Sequence, residues 1–454
     1  MYGDRKSIAN AKEKLNAVSP SFCVAKWLNA TIHLHLGRTH SCHLPPHHPI
    51  SPKDIKKDPS GIHNTAEKKS QRKLMLKGKR PAGCQSCWNI EDLPGEHYSD
   101  RHFMAHYFWA EPHFDEVIEH GHKKSINPRY LEVSFSSSCN FKCSYCSPTY
   151  SSSWEKEVKK FGAYKLDSTS LYLEPNILKL RKEMPLPEED NPYIEAFWKW
   201  WPNLSPDLKV FRITGGEPLL SKDTFKIFDE IKKKPLPQLE FSINTNLGIP
   251  QPTFNKYIEH IKELLEKKYI ARYMMYTSVD SYGPQAEYIR NGLDFNLFKT
   301  RVESYLQSHP KAHLSFMCTF NALSIFNFKE FLKWILELRK LYGKGRNLFI
   351  DTPYLRYPQF MTVQILPQKY HHYLENIIRF MREYEGKEAG FRSGEVIKME
   401  RIFSWMKEAK PEEQIKHQKD FKRFFLEHDK RRDTNFLETF PELEEFWNSI
   451  ETDY

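Results

Sequence analysis

The residues best suited to chemistry lie in one short loop, Cys139-Asn-Phe-Lys-Cys143-Ser-Tyr-Cys146. Three thiolates at this spacing can close on three irons of a cubane cluster, whereas iron–sulfur clusters normally take four cysteines. Three ligands leave one iron free to bind something else, the open position that a catalytic metal needs. A zinc site would want a fourth ligand nearby. None follows Cys146 closely, and Asn140 and Ser144 are poor ligands, so the spacing favours the cluster. A second set of thiols lies upstream: Cys23, Cys42 and the pair Cys84-Gln-Ser-Cys87. Four thiols suffice for one more cubane cluster. Zinc is the alternative there, because His33, His35, His40, His43, His47 and His48 crowd around Cys42. The eighth cysteine, Cys318, stands alone in a strand-like run and reads as a small core residue.

These residues need a frame, and the text downstream of about residue 128 supplies one. Strand-like runs are predicted at Tyr130–Ser136, Lys209–Thr214, Leu239–Asn244, Tyr273–Val279, His313–Phe320 and Val363–Leu366. Amphipathic helices lie between them. One carries Phe225, Phe228 and Ile231, another Phe254, Tyr257, Ile258, Ile261 and Leu265, a third Phe328, Phe331, Leu332, Ile335 and Leu338. Six strands with helical crossovers predict a parallel α/β sheet rolled into a partial (β/α)6 TIM-like barrel. Strand alternation puts Leu131, Val133, Phe135, Phe211, Ile213, Phe241 and Ile243 on the helix-covered face. Glu132, Ser134, Ser136, Arg212, Thr214, Ser242 and Asn244 then line the interior, a polar lumen where such barrels usually hold branched apolar side chains.

The chain divides into residues 1–105, a small cysteine-rich module organised by metal instead of a core; 125–367, the barrel, with an insertion over about 147–208; and 368–454, a helical carboxy-terminal cover. The insertion carries Phe197, Trp198, Trp200 and Trp201, an aromatic stripe read as packing. The 454 residues include 14% aromatic and 28% charged side chains, a globular composition. No apolar run is long enough to span a membrane and the amino terminus does not read as a secretory signal. Grouped thiols in such a chain point to metal chemistry in a reducing, cytoplasmic setting. The net charge of +10 reads as a solvated surface, with contact to RNA or an acidic peptide as the sharper reading.

The cysteine loop resembles that of the radical S-adenosylmethionine (SAM) superfamily, in which an aromatic residue, here Tyr145, precedes the last cysteine and lies near the adenine. Thr214-Gly215-Gly216-Glu217-Pro218 resembles the family's glycine-rich turn, whose Glu meets the methionine amino group. Glycines admit close backbone approach and a carboxylate matches an ammonium. Ser278-Val-Asp280-Ser281 is similar to the family's fourth-strand segment at the ribose. Tyr288-Ile-Arg290 is similar to its "YIR" stretch, where Arg290 suits the methionine carboxylate. Asn321 and Val363–Leu366 sit where the family completes the cofactor pocket. The amino-terminal thiols resemble the SPASM or twitch auxiliary-cluster modules, here placed ahead of the barrel.

The resemblance implies a [4Fe–4S] cluster on Cys139, Cys143 and Cys146, bound SAM, and an auxiliary [4Fe–4S] cluster or zinc on Cys23, Cys42, Cys84 and Cys87. A one-electron reductant such as flavodoxin or ferredoxin would drive cleavage of SAM to methionine and a 5′-deoxyadenosyl radical, which takes hydrogen from a substrate. The auxiliary module favours a peptide or protein substrate. Nucleic acid or a small metabolite is the alternative, and a non-catalytic iron–sulfur or zinc protein is the reading from another class.

Overall fold

The computed structural model describes residues 5–345 and 347–451. Three short strands come first: β1 (Asn29–His33), β2 (Arg38–His40) and β3 (His48–Pro49). The barrel region adds β4 (Tyr130–Ser134), β5 (Lys142–Cys143), β6 (Val210–Thr214), β7 (Leu236–Thr245), β8 (Ile270–Ser278), β9 (Arg290–Asn291), β10 (His313–Met317) and β11 (Leu348–Asp351). Nine of these form one sheet in the order β11-β10-β8-β7-β6-β4-β1-β2-β3. From β11 to β1 every neighbouring pair is parallel. The two hairpin strands β2 and β3 continue it antiparallel, so the order stays open.

Each parallel step needs a crossover, and helices supply them. Lys222–Lys233 joins β6 to β7, Gln251–Glu266 joins β7 to β8, and Phe328–Tyr342 joins β10 to β11. Their apolar stripes bury Ile227, Phe228, Ile231, Phe254, Tyr257, Ile261, Phe331 and Ile335 against Leu131, Val133, Phe211, Ile213, Phe241 and Ile243. Each such side chain contributes roughly 1.5–3 kcal/mol, against propensity differences of at most about 0.7 kcal/mol per residue. Packing therefore decides the helices.

The other sheet face is polar, as strand parity predicts. Arg212 Nε donates to Asn244 Oδ1 at 2.8 Å, Thr214 Oγ1 donates to Glu132 Oε1 at 3.3 Å, and the Arg212 guanidinium lies 4.1 Å from the Tyr276 ring centroid.

Three sequence expectations need correction. Val363–Leu366 is not a strand: Val363–Ile365 is one 3-10 turn between Thr362 and Pro367. Its carbonyls are claimed from outside, Gln364 O by Gln414 Nε2 and Ile365 O by Gln418 Nε2, both on the helix Pro411–Arg432. The sixth barrel strand is β11, pairing Leu314↔Leu348 through Met317↔Asp351. Strand ends also fall short: Phe135, Ser136, Val279 and Cys318–Phe320 lie beyond their strands. Finally, the amino-terminal region has a core of its own, built on Leu15, Phe22, Val24, Trp27, Leu28, Met75, Trp88 and Met104. It also reaches the main sheet, since β1 pairs with β4 from Asn29↔Tyr130 to His33↔Ser134.

In the insertion the helix Pro192–Leu204 packs its aromatic stripe on the sheet. Phe197 meets Phe135 edge-on at 5.2 Å and Trp201 meets Phe211 at 5.4 Å. Cys318 is fully buried, its N–H donating to Asp351 O.

Candidate active site at the cysteine loop

The loop begins directly after β4 and is held from several directions. Phe141 anchors it, 1% exposed, with its ring pressed against two glycines. A Cβ on Gly248 would stand 2.3 Å from that ring, and one on Gly292 (φ +109°) 2.9 Å, so neither position admits a side chain. The loop carbonyls are claimed by the insertion. Trp154 Nε1 donates to Cys143 O (2.9 Å), Tyr172 OH to Ser144 O (2.5 Å) and Ser151 Oγ to Phe141 O (2.8 Å). The helix Ser152–Phe161 adds a charged tie: buried Glu157 accepts from Lys142, Tyr164 and Arg432, the last from the carboxy-terminal helix. Burial alone would raise the Glu157 pKa, but Arg432 above all holds it down at about 2.

Strands β5 and β9 form a two-residue antiparallel ladder that places Cys143 opposite Arg290. Arg290 Nη2 donates to Asp280 Oδ1 at 3.2 Å, its Nε stands 2.8 Å from Oδ2 in ion-pair contact, and its Nη1 lies 3.5 Å from Cys143 Sγ. Asp280 also accepts from Tyr145 OH (2.7 Å) and the Thr319 N–H (2.8 Å). The structure thus brings buried Asp280 and Arg290 and half-buried Tyr145 and Cys143 into one network. Ser278, at the end of β8, is half-buried beside it.

The Gly215-Gly216-Glu217 turn lies against the approach to the loop. Gly216 N–H donates to Ser136 O and Glu217 N–H to Ser138 O (3.1 and 2.7 Å). Gly215 has φ +133°, and a Cβ on Gly216 would come within 2.5 Å of Ser138 O. The close approach these glycines permit is to Ser136–Ser138. The Glu217 carboxylate is 1% exposed and accepts from Thr245 Oγ1, Asn246 N and Leu219 N. Burial pushes its pKa up to about 7 against those donors. Asn321 spends its amide on its own turn, with Thr319 O and Leu323 N.

The four amino-terminal cysteines, far apart in sequence, line one cavity with Lys26, Ser41, Trp88 and Arg101. Burial and one another's charge push the Cys23 thiol up and Cys42 to about 12. Sequence reasoning missed several contributors here and at the loop. Asn246 Nδ2 faces Cys139 Sγ at 3.9 Å, and Arg432 reaches Lys142 O from the far end of the chain. These contacts join segments a hundred or more residues apart, with no local pattern to announce them.

The donor chemistry of the loop fits an iron–sulfur cluster. All three thiols are free, and N–H groups of Phe141 and Arg290 point at the Cys139 and Cys143 sulfurs. Burial, then the neighbouring thiols, push Cys139 up to about 12 and raise Cys146; burial also raises Cys143. Ionising such thiols takes a bound cation. Among the described residues no three His, Cys, Asp or Glu side chains are already gathered around a metal ion's position, so the sulfurs must turn to close on one.

A parallel α/β sheet with three free cysteines on the loop after one of its strands defines a class of metalloenzyme. Residues 133–335 match the Radical SAM superfamily, a span that holds the loop, the glycine turn and the Asp280–Arg290 network. That domain indicates a radical SAM enzyme and implies a [4Fe–4S] cluster, SAM and a one-electron reductant. The non-catalytic reading falls with that finding. No curated protein matches the chain. Among the described residues no helix is long and apolar enough to cross a membrane.

Proposed function

We propose that this enzyme abstracts hydrogen from a peptide or protein and uses a second metal centre, a twitch-like auxiliary cluster, to do so. The observation that carries the reading is the convergence of Cys23, Cys42, Cys84 and Cys87 on one cavity. Charge supports it. Lys26 lines that cavity, Arg72 donates to the Lys26 carbonyl and Lys68 is buried with them; among the described residues none has a carboxylate partner. Buried cations need compensating charge, and a metal centre with four thiolates carries net negative charge. In the related modules such a centre accompanies peptide maturation.

When bound, the loop cluster and SAM supply a carbon radical able to attack an unactivated C–H bond. The chain's own residues divide the remaining work. Cys139, Cys143 and Cys146 hold the cluster. Tyr145, Gly215, Gly216, Glu217, Ser278, Asp280, Arg290 and Asn321 form the SAM site, with Arg290 held by Asp280 as a forked donor for the methionine carboxylate. Glu132, Arg212, Asn244 and Tyr276 line a polar interior that orients the substrate and excludes water. Flavodoxin or ferredoxin supplies the electron in the cytoplasm.

Anaerobic reconstitution with iron and sulfide tests the second centre. About eight irons per chain are expected, falling to about four in Cys84→Ser/Cys87→Ser. About four irons plus one zinc in the native chain would refute the auxiliary cluster. Mass spectrometry of cell extract treated with the reconstituted enzyme tests the substrate: altered peptides or proteins are expected, and modified RNA or a metabolite alone would refute that part.

A further inference from the structure

Apart from both cysteine sites, histidines gather at the β1–β2 hairpin. His33 ends β1 and His40 ends β2. Their Nε2 atoms face each other at 3.3 Å, with the rings near-parallel at 17°. That separation is longer than the about 2.9–3.0 Å usual for an N–H donor. It matches the roughly 3.3 Å between two imidazole nitrogens on one tetrahedral zinc with bonds of about 2.0–2.1 Å.

The second ring nitrogens of His40 and His35 are already fixed. His40 Nδ1 faces the Cys42 carbonyl, which can only accept, so Nδ1 carries the proton and Nε2 is bare. His35 engages Ser134 Oγ through Nδ1 at 2.9 Å. Its Nε2 is buried with no hydrogen-bond partner, and the residue is 1% exposed. A metal-bound histidine ordinarily has its other nitrogen held by a carbonyl or similar group, and both rings meet that condition. The His35 ring lies 6.0 Å from that of His33, centroid to centroid. His47 is also close, but its Nδ1 accepts from Arg38 Nη1 at 3.1 Å, which leaves the proton on Nε2.

We propose that His33, His40 and His35 form a site for a divalent first-row transition ion of the zinc type, distinct from both cysteine sites. The pair His33–His40 is set at ligand spacing, and His35 turns in to complete three ligands. The fourth position stays open, on the side where Tyr150 touches both His33 and His35. Tyr150 follows Cys146 by four residues, so the ion would pin the hairpin beside the reactive loop. The site does not depend on what fills the four-thiol cavity.

The test uses the full-length enzyme with its iron–sulfur centres reconstituted, then equilibrated with zinc and desalted. In Cys84→Ser/Cys87→Ser, metal analysis should find about one zinc per chain, and the zinc K-edge should show nitrogen and oxygen scatterers only. Zinc should fall about tenfold or more when His33→Ala or His40→Ala is added to that variant. Absence of zinc from Cys84→Ser/Cys87→Ser, a sulfur shell at its K-edge, or full zinc after His33→Ala or His40→Ala is added to it in a folded chain would each overturn the proposal. Should the histidine variants fail to fold, the K-edge of Cys84→Ser/Cys87→Ser decides alone.

Discussion

Arg290 is buried beside Cys143, and its charge is tolerable there because the Asp280 carboxylate pairs with it and accepts from its Nη2. Removing one member of such a pair leaves the other uncompensated, at a cost of about 3–5 kcal/mol. Asp280→Ala should therefore lower the denaturation free energy by that amount, and Asp280→Asn by clearly less, since it keeps the shape and part of the hydrogen bonding. Gly216→Ala meets backbone instead of a yielding side chain, 2.5 Å from Ser138 O. It should cost roughly 1–3 kcal/mol and lower iron uptake at the neighbouring loop, read by metal analysis after reconstitution. Glu157 gives a pH signature. Its folded pKa, about 2, is below the ordinary carboxylate value, so its contribution is whole above about pH 4.5 and is lost as pH falls toward 2. Equilibrium unfolding from pH 6 downward should show that loss, on the order of 3 kcal/mol, and Glu157→Gln should flatten it.

At the scale of elements, β11 completes the parallel barrel strands, and Ile350, 4% exposed, secures it to the core. Ile350→Ala should cost about 2–4 kcal/mol in chemical denaturation, as expected of a core truncation. This strand was the element least legible in the sequence. Leu348-Phe-Ile-Asp351 is only four residues long and follows Gly343 and Gly345, so it offers too little alternation to stand out. The Val363–Leu366 run is more apolar, but its carbonyls are taken by Gln414 and Gln418, a tertiary fact that no local pattern carries. By contrast, Leu131, Val133, Phe211 and Ile213 alternate cleanly with Glu132, Arg212 and Thr214, and both faces were readable from period two alone. The cysteine loop was legible because its three cysteines fall within eight residues. The Asp280–Arg290 clamp on it was legible only as separate motifs, and the His33–His40–Tyr150 cluster only as a crowd of histidines. Those contacts depend on how β1 meets β4.

Across the whole molecule, distant segments close on the same loop. The amino-terminal region contributes β1 to the barrel sheet and brings four thiols to a cavity of its own. The carboxy-terminal helix sends Arg432 to Glu157 and to the Lys142 carbonyl inside the loop. A chain starting at residue 125 would expose the β4 edge and the faces of Tyr130 and Val210 that pack on the amino-terminal core. Such a fragment should fail to give a cooperative unfolding transition by circular dichroism, while the full chain gives one. The central claim is that Cys139, Cys143 and Cys146 hold the centre that cleaves SAM. It is tested most directly by measuring 5′-deoxyadenosine after anaerobic reconstitution, with SAM and a strong one-electron reductant. The native chain should form it and Cys143→Ala should form none above background; undiminished formation in Cys143→Ala would contradict the account.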